Sequence, residues 1–165
     1  MDLLAKDPRT VFVGQAVEYI GTGQTPSFKD IPEDKKFEMP VAEDMQMGLS
    51  IGLALAGKIP ITVYPRFDFL LCAANQLVTH WDKIFYRYGK MIIRVAVGGV
   101  DPMDPGPQHR GDYTEAFRHL LKNVEIVTLP KEQTDNIVEE YRYALTKSIG
   151  KKSTLIIEYG DLYGT

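Results

Sequence analysis

The sequence predicts an α/β fold, a doubly wound and mostly parallel sheet sandwiched by helices. Two observations carry this: short β-branched runs alternate with longer helical patterns along the whole chain, and the runs are almost continuously apolar. Strands with no polar alternation are those covered on both faces, as in a parallel sheet. Thr10–Gly14 (TVFVG), Ile61–Tyr64 (ITVY), Met91–Val97 (MIIRVAV), Val124–Leu129 (VEIVTL) and Thr154–Tyr159 (TLIIEY) are the predicted strands. The first predicted helix runs from about Glu43 to Ala56. In the second, Leu70, Ala74, Leu77, Trp81 and Ile84 recur at steps of three and four and form one apolar stripe. A third helix spans about Tyr113 to Leu121, and Ile137, Tyr141, Leu145 and Ile149 mark the last. Strand and helix in alternation is the signature of the doubly wound sandwich.

Composition narrows the function. With 165 residues the chain fits one domain able to bury a core without staples. Its hydrophobic content of 44% and charged content of 25% are those of an ordinary globular protein. A net charge of −3 offers no basic footprint for nucleic acid or an anionic membrane. No apolar run approaches the roughly 20 residues that span a bilayer. The amino-terminal MDLLAKDPR is too polar and short for a signal peptide, so a cytoplasmic location is the default expectation. The single cysteine, Cys72, rules out an internal disulfide framework and is expected as an inert core thiol.

Two stretches exceed a minimal strand–helix repeat. Gly21–Lys36 carries Gly, Pro and charge without periodicity and is expected as a surface loop near the first strand's carboxyl end, its KDIPEDKK run solvated. Gly98–Gly111 (GGVDPMDPGPQHRG) follows the third predicted strand. Loops at the carboxyl ends of parallel strands are where such folds bind ligands, so both are site candidates.

The most unusual segment is MPVAEDMQMGLSIGLALAG, residues 39–57. Glu43 heads an almost wholly apolar helix, where the macrodipole favours a carboxylate. Gly48 and Gly52, with Ala54 and Ala56, let this helix approach another backbone closely, inside the protein or across a subunit interface. On composition alone, the favoured reading of Glu43 is a charge that merely stabilises the helix terminus.

The chain resembles the beta subunits of the 2-oxo acid dehydrogenase decarboxylating component and, more distantly, transketolase and deoxyxylulose-phosphate synthase. DPRTVFVGQAVEY is similar to their first strand and turn, and PVAEDMQMGLSIGLALAGKIPIT to their Pro-x-x-Glu helix and second strand. YPRFDFLLCAANQLVTHWDKIFYRYG resembles the aromatic-rich turn and long helix that follow, and NVEIVTLP and STLIIEYGDLYG the later strands. The resemblance implies one pyrimidine-binding domain over residues 1–165, thiamine diphosphate as cofactor, and Glu43 as the catalytic glutamate. In that family the glutamate hydrogen-bonds a ring nitrogen of the aminopyrimidine and drives the exocyclic amine to its imino form, which takes the thiazolium proton; the thiazolium then serves as electron sink. Phe69 matches the ring that stacks on the pyrimidine; a core phenylalanine is an equal alternative, and Phe67 or Tyr64 would exchange the role on a small register error. His109, in a Gly-Pro-x-His turn, falls where the relatives carry a histidine beside the substrate, and Arg110 could pair with a substrate carboxylate or phosphate. His80 and His119 are expected to be structural.

Departures from the family shape the remaining expectations. Gln15 stands where beta subunits commonly carry glutamate, so it can hydrogen-bond but cannot relay a proton. Met1 falls inside what is normally the first helix. The family's carboxy-terminal domain, which builds the dimer and a docking surface for the acyltransferase core, is expected to be absent. The Gly-Asp-Gly magnesium motif is missing too, so Mg2+ and the diphosphate are expected on an alpha-type partner subunit, in a dimer or heterotetramer. The substrate is then a small 2-oxo acid, or a ketose if the reaction is transketolase-type transfer of a two-carbon unit. A reading of another class is a non-catalytic interaction or regulatory domain that kept the fold.

Overall fold

The structure, a computed structural model, describes residues 1–19, 21–100, 104–129, 136–148 and 152–162. Six strands form one sheet: β1 (Thr10–Gly14), β2 (Lys36–Glu38), β3 (Ile59–Tyr64), β4 (Ile92–Val97), β5 (Val124–Leu129) and β6 (Ser153–Tyr159). Their order is β2-β1-β3-β4-β6-β5 and every neighbouring pair is parallel. The β-branched runs explain this arrangement. β1, β3 and β4 are buried along their whole length, so neither face needs a polar alternate.

Pleating divides the side chains of each strand between two cores. On one face Tyr64, Ile93, Val95, Val97, Leu155 and Ile157 pack against α2 (Glu43–Leu55), α3 (Phe67–Cys72) and α4 (Thr114–Leu120). On the other, Phe12, Ile61, Val63, Ile92 and Ile156 pack against α1 (Asp2–Ala5), α5 (Ile137–Thr146) and the turn at Thr25–Phe28. Arg94 and Glu158 also point to this second face. Arg94 Nε and Nη2 donate to the two Glu158 oxygens at 2.9 Å each, Arg94 Nη1 donates to Ser27 Oγ at 2.7 Å, and Tyr141 donates to Glu158 Oε1 at 2.5 Å. These residues line a cavity of about 300 Å³ beside α1.

Four expectations need correction. The second helix is not one α-helix: α3 ends at Cys72 and a π-helical stretch runs over Gln76–Phe85. Its i→i+5 bonding changes which side chains share a face. Leu70, Leu77 and Trp81 stay buried, joined by Ala73, while Ile84 turns out to 51% exposure. Cys72 is exposed rather than in the core. The Gly21–Lys36 stretch is not a plain surface excursion, because its short 3-10 turns bury Phe28 and Ile31. Nor is KDIPEDKK simply solvated. Lys35 Nζ donates to the carbonyls of Ala5 and Asp7 at 2.7 and 2.6 Å, fastening that run to the start of β1. Ile149, the last position of the final apolar repeat, lies outside the described residues.

The strand order fixes where a ligand can sit. The chain runs outward from β1 to β2, then crosses back through α2 to β3 on the other side of β1. That reversal puts the sheet's switch point at the carboxyl ends of β1 and β3, where folds of this kind bind ligands. Gln15 leaves β1 there, α3 leaves β3 beside it, and the Gly98 loop leaves β4 next along the same edge.

Candidate active site

Glu43 is the first residue of α2 and is 9% exposed. No side chain caps this helix; Ala42 and Glu43 enter it from a tight turn in which the Ala42 N–H meets the Pro40 carbonyl at 2.7 Å. The uncapped amides of the first turn favour a negative charge. Gln15 Nε2 donates to Glu43 Oε1 at 3.2 Å. Glu43 Oε2 has no hydrogen-bond partner among the described residues and is not covered, so one acceptor oxygen is free to accept.

Gln46 and Glu38, which the sequence did not single out, and Tyr64, which it offered only as an alternative ring partner, hold this glutamate in place. Gln46, one turn further along α2 and fully buried, donates from Nε2 to Thr62 Oγ1 and the Val63 carbonyl, both at 2.9 Å. It pins the first turn of α2 to the end of β3. The Tyr64 hydroxyl donates to the Glu43 carbonyl at 3.3 Å; burial, followed by the Glu43 charge, pushes its pKa above the ordinary tyrosine value. Glu38 ends β2 with a carboxylate that accepts from the N–H groups of Ala16, Val17 and Glu18 at 2.6, 2.9 and 2.9 Å, with Ala16 at φ 58°. Three successive amides aimed at one anion fix the turn that carries Gln15. A lone polar residue in an oily helix was a readable signal for Gln46; Glu38 had none.

The second group of candidates also meets. Phe69 lies on α3, partly buried against the core, and its ring stands edge-to-face with His109 at 5.4 Å between centroids and 69° between planes. Phe67 and Tyr64, the register alternatives, are both buried in that core, which leaves Phe69 as the aromatic of the three that is partly open. His109 closes a short 3-10 turn in which its N–H meets the Gly106 carbonyl at 3.1 Å. Its carbonyl oxygen presses on the backbone of Gly98, where a Cβ would fall 2.0 Å from it, so only glycine fits at the end of β4. His109 Nδ1 is covered and has no hydrogen-bond partner among the described residues. Arg110 is turned aside, its Nε 3.6 Å from Asp104 Oδ1 in an exposed pair that solvent weakens. The structure therefore joins Gln15 to Glu43 and Phe69 to His109, and leaves Arg110 paired within its own loop. Among the described residues no group of three or more His, Cys, Asp or Glu is placed to hold a metal. Among them, too, no helix is long and apolar enough to cross a membrane.

Comparison with known proteins agrees with this fold. The 3-methyl-2-oxobutanoate dehydrogenase subunit beta of Mycobacterium tuberculosis is 29% identical over 128 residues, 70% of this chain and 35% of that protein. The 2-oxoisovalerate dehydrogenase subunit beta of Bacillus subtilis is 30% identical over 77 residues, 44% of this chain and 24% of that protein. The 1-deoxy-D-xylulose-5-phosphate synthase of Vibrio parahaemolyticus is 26% identical over 135 residues, 81% of this chain and 20% of that protein. The chain thus spans about a fifth to a third of the length of these relatives. Among solved structures, a split-gene transketolase described as an inactive beta4 tetramer superposes with a TM-score of 0.64 at 22% identity, over 95% of this chain and 47% of that one, which shows a shared fold. Residues 1–160 match the family described as the transketolase pyrimidine binding domain. The chain belongs to that family, the pyrimidine-binding domains of thiamine diphosphate enzymes.

Proposed function

We propose that this chain is the pyrimidine-binding subunit of a thiamine diphosphate enzyme acting on 2-oxo acids, with Glu43 as the residue that activates the cofactor. The observation that carries the reading is the buried Glu43 carboxylate, one oxygen held by Gln15 and the other open at the sheet's switch point. These residues fit an aminopyrimidine: Glu43 would accept a hydrogen bond from the ring nitrogen, and the partly buried Phe69 would supply an apolar face for the ring. When bound, the cofactor supplies an electron sink for decarboxylation. The chain's own part is to hold Glu43 fixed, accept a hydrogen bond at Oε2 and keep water from the carboxylate. Gln15 cannot ionise, so it orients Glu43 and moves no proton. His109 serves as the group that orients a carbonyl or protonates the oxygen formed on it.

Magnesium and the diphosphate are assigned to an alpha-type partner chain. Supporting this, α2 leaves Met45, Leu49 and Leu55 exposed beside Gly48 and Gly52, where a Cβ would meet nothing within 4 Å. An open apolar strip on the same helix that Glu43 heads, on the face away from the core, suits a partner chain that packs on α2. Two-carbon ketol transfer is the second reading, favoured by the Gly106–His109 turn that sets a histidine over Phe69.

The test is to titrate thiamine diphosphate with Mg2+ into the chain alone and then with a chain carrying the Gly-Asp-Gly motif. Binding and 2-oxo acid turnover are expected in the mixture. Glu43→Gln is expected to leave circular dichroism and unfolding unchanged and to remove nearly all turnover. Near-normal turnover in that variant refutes the assignment, and ketose turnover in place of 2-oxo acid turnover selects the second reading.

A further inference from the structure

The loop that carries His109 is tied to α3 by two contacts in register. Phe69 meets His109 ring to ring, and the preceding residue, Asp68, accepts a hydrogen bond from the Tyr113 hydroxyl at 2.8 Å. Among the described residues this is the hydrogen bond that joins the loop to α3. The path of Tyr113 back to Asp68 depends on Gly111: a Cβ there would lie 2.3 Å from the Tyr113 hydroxyl and 2.4 Å from its ring carbon, so any side chain would push the ring away. On its far edge the Tyr113 ring stands 5.6 Å from Phe67, 87° out of plane, inside the α3–α4 core. The next residue back, Asp112, accepts from the Thr114 N–H at the start of α4 at 2.9 Å and from the Tyr159 hydroxyl at 3.1 Å. That bond fixes the loop's outer end to β6 and leaves its approach to Phe69 to Tyr113.

Asp68 gives this contact its strength. Its Oδ2 is covered and has no hydrogen-bond partner among the described residues, so Tyr113 is the donor on which the half-buried carboxylate depends. Removing the hydroxyl leaves both carboxylate oxygens without a protein donor, and a covered charge in that state draws the segment toward water. The hydrogen bond also holds the Tyr113 proton to higher pH than an ordinary phenol keeps it, so the contact persists across the neutral range.

We propose that Asp68 and Tyr113 are positioning residues that set the His109 imidazole against Phe69 at the reacting end of the pocket. This deepens the cofactor role proposed above and rests on it for its catalytic consequence. Neither residue is assigned a contact with substrate; both act through His109.

The geometric part is tested without cofactor, by NMR of the histidine ring protons in the full chain, with His109 assigned through His109→Gln. In the wild type these protons are displaced from exposed-histidine values by the Phe69 ring, and Phe69→Leu abolishes the displacement. Tyr113→Phe and Asp68→Ala are each expected to remove most of it, with His80 and His119 signals unchanged as the control for folding. Asp68→Asn, whose amide oxygen still accepts from Tyr113, is expected to restore it. A full displacement in Tyr113→Phe overturns the proposal. In the assembled enzyme Tyr113→Phe is expected to lower kcat by about tenfold or more, with the affinity for thiamine diphosphate changed by less than about twofold. Unchanged kcat beside a lost displacement overturns the catalytic consequence. Failure of the Glu43→Gln test, by contrast, leaves the ring measurement standing, so the two failures are told apart.

Discussion

Replacing Arg94 by methionine removes a guanidinium that is 5% exposed and leaves Glu158, 2% exposed, without its bidentate partner. Methionine keeps most of the volume, including the contact with Phe28, over whose ring the guanidinium carbon lies at 5.3 Å. The cost is therefore electrostatic more than steric. Breaking a buried ion pair from one side costs about 3–5 kcal/mol, because the surviving charge keeps its desolvation penalty. Tyr141 still donates to Glu158, and the cavity of about 300 Å³ beside the pair admits solvent on relaxation, so the lower end applies, about 3 kcal/mol. For a chain of this size that lowers Tm by roughly 6–12 °C, at about 2–4 °C per kcal/mol. Urea and thermal unfolding followed by the fluorescence of the fully buried Trp81 measure both quantities. The double variant Arg94→Met/Glu158→Gln removes the stranded charge while keeping an acceptor for Tyr141, and is expected to regain at least half of the loss. A single-variant loss under about 1 kcal/mol, the size of an exposed pair, would refute the view that these two charges depend on each other.

Other outcomes follow from the same structure. Gly98→Ala places a Cβ 2.0 Å from the His109 carbonyl, so it should cost about 1–3 kcal/mol and separate His109 from Phe69, readable in the same histidine ring signals. Asp7 is held at about 2, below the ordinary carboxyl value of 3.8, chiefly by its hydrogen bond from Arg9. A depressed carboxyl contributes stability that is present above the unfolded value and is lost as pH falls through the folded one, here between 3.8 and about 2. Because Arg9 is largely exposed, solvent screening keeps this below about 1 kcal/mol; Asp7→Asn should lower stability at neutral pH by up to that amount and leave it nearly unchanged near pH 2, which flattens the acid limb of the stability curve.

The parts of the fold visible in the sequence were those set by continuous apolar runs. β1 and β5 coincide with their predicted spans, and β4 and β6 differ by one residue at their starts. β3 begins two residues earlier than predicted because Pro60, which reads as a breaker, lies inside the strand. β2 was not legible: Lys36, Phe37 and Glu38 carry no apolar pattern, and they pair with β1 because Glu38 finds three amides there. The π-helical turn was invisible for the opposite reason, since Leu70 to Ile84 fits an ordinary helical stripe. For the site, the Glu43 helix announced itself by its composition, and the motif resemblance marked His109 and Phe69. Of the residues that hold them, Gln46 was marked only by its polarity in an oily helix, and Asp68 and Tyr113 did not show, because they draw their roles from partners far away in sequence that only folding brings near.

Glu38 also has a consequence for how copies of this chain meet. β2 is the outermost strand on its side of the sheet and is only three residues long. Just past its pairing partner, the amides of Ala16 to Glu18 are already consumed by its own carboxylate. An incoming strand would find three residues of ladder and no spare donors beyond, too little to template growth. That flank is thereby a poor template for edge-to-edge addition, and contacts made there must use side-chain surfaces, where recognition can be selective.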